Sequence, residues 1–245
     1  RGRPSGRPWA HLKVRPYELC LILALAAGTA RATCGINCDA QMTHDTGGSA
    51  PGVEAGSFVA RTAGGLDLAS GNRGLSTTDA YLRVTLRRGS SAVYALGGSL
   101  IAAELEGGAT QPASSGSGGV RIGGGLQTVV ARNLPGKFAL SGGFSALYQR
   151  IPLDGGRVVS GASWHANLLL GHAIGPAHAH AGARLFIHRL TLREGGADFS
   201  EGGHAHLSGT LGLGVPIAGG LSAAAEGILG KDRGLVFGLT WRFLQ

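Results

Sequence analysis

The chain has 245 residues, a formal net charge of +8, 43% hydrophobic but only 15% charged residues, and 45 glycines. No segment reaches the roughly 18 unbroken apolar residues of a membrane-spanning helix, so the apolar content is dispersed. Residues 1–32 hold Arg1, Arg3, Arg7, Lys13, Arg15 and Arg31 against Glu18 and account for +5 of the charge; no basic run with interleaved aromatics follows, which argues against a nucleic-acid partner.

The first segment, residues 1–32, reads as a cleaved export signal. A basic stretch precedes the apolar run Leu19–Ala27, and Ala30-Arg31-Ala32 supplies a small-x-small cleavage pattern. Residues 33–56 then form a polar tail containing Cys34 and Cys38. In an oxidising compartment these two are candidates for a short-loop disulfide; lipidation of Cys34 is the alternative.

From residue 57 to residue 245 the chain alternates with period 2 in about ten segments. They run Ser57–Ser70, Asp79–Arg88, Ser91–Leu105, Gly119–Asn133, Lys137–Ile151, Arg157–Ala173, Ala177–Arg193, His204–Val215, Gly220–Gly230 and Arg233–Leu244. In Asp79–Arg88, Ala80, Leu82, Val84 and Leu86 share one face, against Tyr81, Arg83, Thr85 and Arg87. Polar linkers at 71–78, 106–118 and 194–203 alternate with tight turns near 89–90, 134–136, 174–176 and 218–219.

The last strand ends GLVFGLTWRFLQ, with Leu235, Phe237, Leu239, Trp241 and Phe243 on alternate positions. With the export signal and the amphipathic strands before it, this segment makes residues 57–245 resemble a small, porin-like Gram-negative outer-membrane β-barrel protein. One departure is that Leu244 and Gln245 follow the terminal aromatic. The strand pattern has its own physical basis: strands in lipid must pair every backbone group, so they close into a cylinder.

The expected fold is therefore all-β, a closed antiparallel up-and-down transmembrane barrel of about ten strands, between about eight and twelve. The resemblance implies a location in the bacterial outer membrane with both termini in the periplasm. It implies outer-membrane lipid, lipopolysaccharide and the barrel-assembly machinery as partners, and leaves the oligomeric state open. Leu235, Phe237, Leu239, Trp241 and Phe243 would face lipid and serve as the assembly strand.

With the apolar faces assigned to lipid, the lumen is expected to receive Arg61, Asp67, Arg83, Arg87, Arg121, His165, Arg184, His188, His206, Glu226 and Arg242. His188 and His206 fall on neighbouring strands near one rim, and two imidazoles there are weak candidates for Zn or Cu. Filling a polar lumen is the plainer role. No cofactor signature is present: the glycines at 123–125 lie inside a strand pattern, without the strand-turn-helix setting of a nucleotide loop.

No nucleophile elbow or spaced acid dyad is visible, so the expected function is non-enzymatic: structural, surface-exposed, or passing a small solute through a narrow lumen. The alternative is a hydrolase, a protease or lipid-modifying enzyme, with His, Asp and Ser at the extracellular rim.

Overall fold

The computed structural model describes residues 52–68, 71–107, 112–200, 203 and 205–244. The expected signal, Cys34, Cys38 and the tail up to residue 51 lie outside these residues.

The described residues form β1 (Gly52–Leu68), β2 (Gly71–Arg88), β3 (Ser91–Leu105), β4 (Ser114–Gly116), β5 (Val120–Leu134), β6 (Phe138–Leu153), β7 (Arg157–Ile174), β8 (Ala177–Glu194), β9 (Ala197–Ser200), β10 (Ala205–Ala218), β11 (Leu221–Gly230) and β12 (Arg233–Leu244). All pairs are antiparallel. Each strand of the ring hydrogen-bonds its chain neighbours, β1 pairs with β12, and β8 pairs with β10, so ten strands close a cylinder. The two short strands, β4 on β3 and β9 on β8, lie off the ring.

Closure follows from the pattern of side chains. Every ring strand places at least one large apolar residue on the outer surface, from Val59 on β1 through Leu82, Val93, Ile122, Phe144, Leu168, Leu185, Leu211 and Leu229 to Trp241 on β12. An apolar belt that runs the whole circumference has no soluble partner, whereas lipid covers it without loss. Trp241 and Phe243 pack against each other on the outside near the end of β12, with ring centroids 4.9 Å apart and planes tilted by 37°. Leu235, Phe237 and Leu239 share that outward face, while Val236 and Thr240 are buried inside.

Two ends can be distinguished. At the turn end the connections are Gly89-Ser90, a single 3₁₀ turn at Pro135–Lys137, Gly175-Pro176 and Gly219-Gly220. Gly136 takes φ 77° there, a left-handed conformation open to glycine. The loop end carries β4, β9 and the 3₁₀ turn Asp154–Gly156.

Several of the expected boundaries move. Residues 71–78, expected as a linker, belong to β2 and pair with β1 down to Leu68↔Gly71. Asn72, Ser76 and Thr78 take the outer side of that segment and Arg73, Leu75 and Thr77 the buried side. The outer side is polar because this hairpin continues past the apolar belt, and the polarity hid the alternation. Likewise β1 begins at Gly52, where Glu54 is already buried, five residues before the expected start. The linkers at 106–118 and 194–203 contain β4 and β9.

Candidate functional site: the barrel interior and its mouth

Inward-facing residues fill the cylinder in tiers. Near the turn end, Glu54 accepts hydrogen bonds from Arg87 at 3.2 Å and from Arg242 at 3.0 Å. β1 lies between β12 and β2, so one carboxylate ties three neighbouring strands at the seam where the ring closes.

The middle tier is aromatic. Phe58 stacks on Tyr81 with centroids 5.2 Å apart, and the Arg83 guanidinium sits 4.7 Å from the Phe58 ring and 5.6 Å from that of Tyr94. A cation held over two rings in a dry interior is attracted by their electron-rich faces. The rings of Phe58 and Tyr94 lie against the wall because glycines face them: a Cβ at Gly56 or Gly238 would collide with the Phe58 ring, and one at Gly125 with the Tyr94 ring. Beside them Arg121 pairs with Asp79 and donates to Gln149 Oε1 at 3.1 Å. Arg184 donates to Glu226 at 2.7 Å, and His180 Nε2 lies 3.1 Å from the same carboxylate.

The loop-end tier is apolar. Leu66, Leu68, Leu75, Leu100, Ile151 and Leu190 belong to a buried cluster that Phe199 of β9 packs against. A one-residue bulge makes part of it: Asp79 pairs with Leu100 and Thr78 with Ala102, so Ile101 is extra and both Leu100 and Ala103 turn inward. The expectation that the apolar faces meet lipid and leave the lumen to polar and small side chains is thus corrected, since large apolar residues fill much of it.

Over this cluster the β3–β5 connection is fastened across the mouth. The Pro112 carbonyl accepts from Arg157 at 3.0 Å and from Arg73 at 3.4 Å. Glu194 lies 3.3 Å from Arg157 and 3.5 Å from Arg73. These arginines stand on β7 and β2, four places apart in the ring, so the clasp spans the opening. Ser114 donates to the Asp154 carbonyl at 3.1 Å and holds β4 against the β6–β7 turn.

One cluster has the composition of a hydrolytic triad. His188 Nδ1 lies 3.2 Å from Ser163 Oγ, and Nε2 lies 3.3 Å from Asp232 Oδ2. Catalysis by such a group requires the hydroxyl to meet a substrate. Ser163 has 0% exposure, with Leu147 and Phe186 of the aromatic tier near it in register, so the cluster presents no nucleophile. His206 is the next ring, 5.9 Å from His188. Both nitrogens of His188 are engaged, and among the described residues no group of three His, Cys, Asp or Glu is arranged around a metal position.

The structure places most expected lumen residues inside. Arg83, Arg121, His165, Arg184, His188, His206 and Glu226 are buried, and Arg87 and Arg242 turn inward onto Glu54. Arg61 and Asp67 do not. On β1 the inward set is Glu54, Phe58, Ala60, Thr62, Leu66 and Leu68, which leaves Arg61 exposed outside, and Asp67 outside in an ion pair with Lys231 at 2.5 Å. Assigning every apolar residue to lipid misplaced them, because β1 turns Phe58, Leu66 and Leu68 inward.

Sequence reasoning missed Glu54, Asp79, Arg73, Arg157 and Asp232. Asp79 shares parity with Arg83 and was within reach of the pattern. Glu54 and Arg73 sit on strand residues that the pattern left out, Arg157 is the first residue of a strand whose start was expected there, and Asp232 lies in a two-residue turn.

No family model matches the chain, and no curated protein matches it. Solved structures resemble it. The translocator domain of the autotransporter NalP from Neisseria meningitidis aligns over 93% of this chain and 95% of its own, with 11% identity and a TM-score of 0.48. The transport unit of the autotransporter AIDA-I from Escherichia coli aligns over 90% and 97%, with 12% identity and a TM-score of 0.43. The beta domain of the Bordetella autotransporter BrkA aligns over 79% and 99%, with 18% identity and a TM-score of 0.41. The assignment of this chain to the outer-membrane type of barrel rests on its own ring of pairings and its apolar belt.

Proposed function

We propose that the chain is a non-enzymatic barrel of the bacterial outer membrane that acts as a sealed structural anchor and presents its loop end at the cell surface. The carrying observation is the interior: a stacked aromatic tier, buried ion pairs and an apolar cluster fill it, and the Pro112 segment is clasped over the mouth. Ten strands enclose little more than side chains can fill. Of the two non-enzymatic roles left by the sequence, filling favours the structural one over passage of a solute.

The orientation follows from economy. Short turns suit the periplasmic side and longer, structured connections the outer side, which leaves both ends of the strand series in the periplasm. Insertion by the barrel-assembly machinery is supported by the alternating, aromatic-ended β12.

Planar-bilayer recording tests the sealed interior. A flat trace at all voltages is expected, and stepwise single-channel conductance by the parent protein would overturn it. The rim hydrolase is the second reading: the Ser163–His188–Asp232 contacts have its composition, and it requires the buried Ser163 to become exposed. Loss of a surface hydrolytic activity on Ser163→Ala, with the barrel still folded, would establish it.

A further inference from the structure

Two outward features at the β1–β12 seam meet at the loop-end edge of the apolar belt. The first is a pair of exposed arginines. Arg61 on β1 stands opposite Leu235, and Arg233 on β12 stands opposite Ala63, so the two are diagonal neighbours on one outer face. Lys231 beside them is already held by Asp67 at 2.5 Å and Arg233 Nε donates to the Gly230 carbonyl at 3.3 Å, so the Arg61 guanidinium and the Nη groups of Arg233 form the positive face.

The second feature is an apolar groove that runs from these arginines toward the turn end. Its floor is β11, with Ala223, Ala225 and Gly227 outward; Leu211, Leu213 and Val215 of β10 form one wall, and Leu235, Phe237 and Leu239 of β12 the other. A Cβ added at Gly227 would meet only ordinary contacts at 3.8 Å and beyond, so the floor is open. Above the arginines a half-open cavity of about 380 Å³ is lined by Asn72, Glu104, Glu106, Lys231 and Arg233 among others. Its mixed carboxylate, amide and cationic lining suits hydroxyl groups.

We infer that this surface docks a phosphorylated, multiply acylated glycolipid of the outer leaflet, lipid A. An acyl chain lies in the β11 groove, a phosphate is gripped by Arg61 and Arg233, and the sugar enters the rim cavity. Guanidinium forks match phosphate oxygens with paired charge-assisted hydrogen bonds, and the polar cavity favours a sugar headgroup over a glycerol one. The inference rests on the outer-membrane placement proposed above and adds a ligand and its residues.

The test uses the full chain folded in detergent and titrated separately with lipid A, its dephosphorylated form and phosphatidylglycerol, with bound lipid counted by native mass spectrometry. The double variant Arg61→Gln/Arg233→Gln is expected to bind lipid A roughly tenfold or more weakly, as loss of two charge-assisted contacts implies. Ala225→Leu, which fills the groove, should also weaken it, while phosphatidylglycerol binding stays weak throughout.

Equal lipid A binding by parent and both variants, or phosphatidylglycerol binding as tight as lipid A, overturns the docking surface. Heat-modifiable gel migration separates the two failures. A parent that migrates identically before and after boiling removes the barrel reading itself; a heat-modifiable parent whose variants bind normally removes only the lipid site.

Discussion

Arg184 on β8 reaches past β10 to donate a 2.7 Å hydrogen bond to Glu226 on β11. Both side chains are buried, at 1% and 0% exposure. Removing one member of such a pair leaves the other charged and without its counter-ion in a dry interior. Glu226→Ala is therefore expected to destabilise the barrel by about 3–5 kcal/mol, read as a lower urea midpoint for the folded gel band. An unchanged midpoint would show that His180 and Arg184 find other partners.

Phe58 and Gly238 form the steric counterpart of that pair at the β1–β12 seam. The ring occupies the place a Cβ would take, so Gly238→Ala should cost about 1–3 kcal/mol through overpacking. Phe58→Leu in the same chain should recover part of the loss, since it removes the colliding ring. Additive losses in the double variant would mean that the two sites do not touch.

The clasp over the mouth can be opened without touching the wall. Arg73→Ala together with Arg157→Ala removes both donors to Pro112. The β3–β5 connection, which holds no Lys or Arg, should then be cut by a protease of broad specificity in minutes, where the parent resists. Bilayer conductance should stay flat, because the apolar cluster below remains. Conductance appearing in this variant would locate the seal in the clasp alone.

His188 links Ser163 to Asp232, and in a structural barrel it serves to satisfy buried polar groups. His188→Ala should lower stability by about 1–3 kcal/mol and leave any hydrolysis at the cell surface unchanged, as should His206→Ala. A large loss of hydrolysis in a folded variant would reverse the assignment.

At the loop end the Arg193 guanidinium donates to Asp198 at 2.8 and 3.2 Å and holds that carboxyl below its ordinary value. A depressed folded-state pKa contributes order above the unfolded value and loses it as pH falls through the folded one. Amide protection in the β8–β9 hairpin should therefore drop in acid while the wall strands keep theirs. The pair is exposed, so the effect stays local. Equal protection in acid and at neutral pH would remove the pair from any role in ordering the hairpin.

The ten ring strands were legible because lipid imposes alternation wherever it touches them: Leu82, Val84 and Leu86 against Arg83 and Thr85 leave little choice. Where β2 passes beyond lipid, Asn72, Ser76 and Thr78 carry no such constraint, and the strand looks like a loop. The interior was only half legible. Arg83, Arg121 and Glu226 declare themselves by charge, but Phe58 and Leu66 look identical whether they meet lipid or the core. Their side is decided by pairing partners such as Gly238, far away in the chain. The arginine clasp on Pro112 depends on residues 39 and 45 positions distant and has no local signature.

Strand length carries one more consequence. β1 and β2 have 17 and 18 residues and β7 and β8 have 18 each, whereas β11 and β12 have 10 and 12. A deficit of about six residues amounts to roughly 20 Å along a strand, so the rim is slanted, like a pipe cut obliquely. With the loop end facing outward, as proposed, large molecules approaching the cell meet a parapet over most of the circumference and a low sill beside Arg61 and Arg233. Any contact with the membrane's outermost polar layer, by lipid or by protein, has its shortest path over that sill.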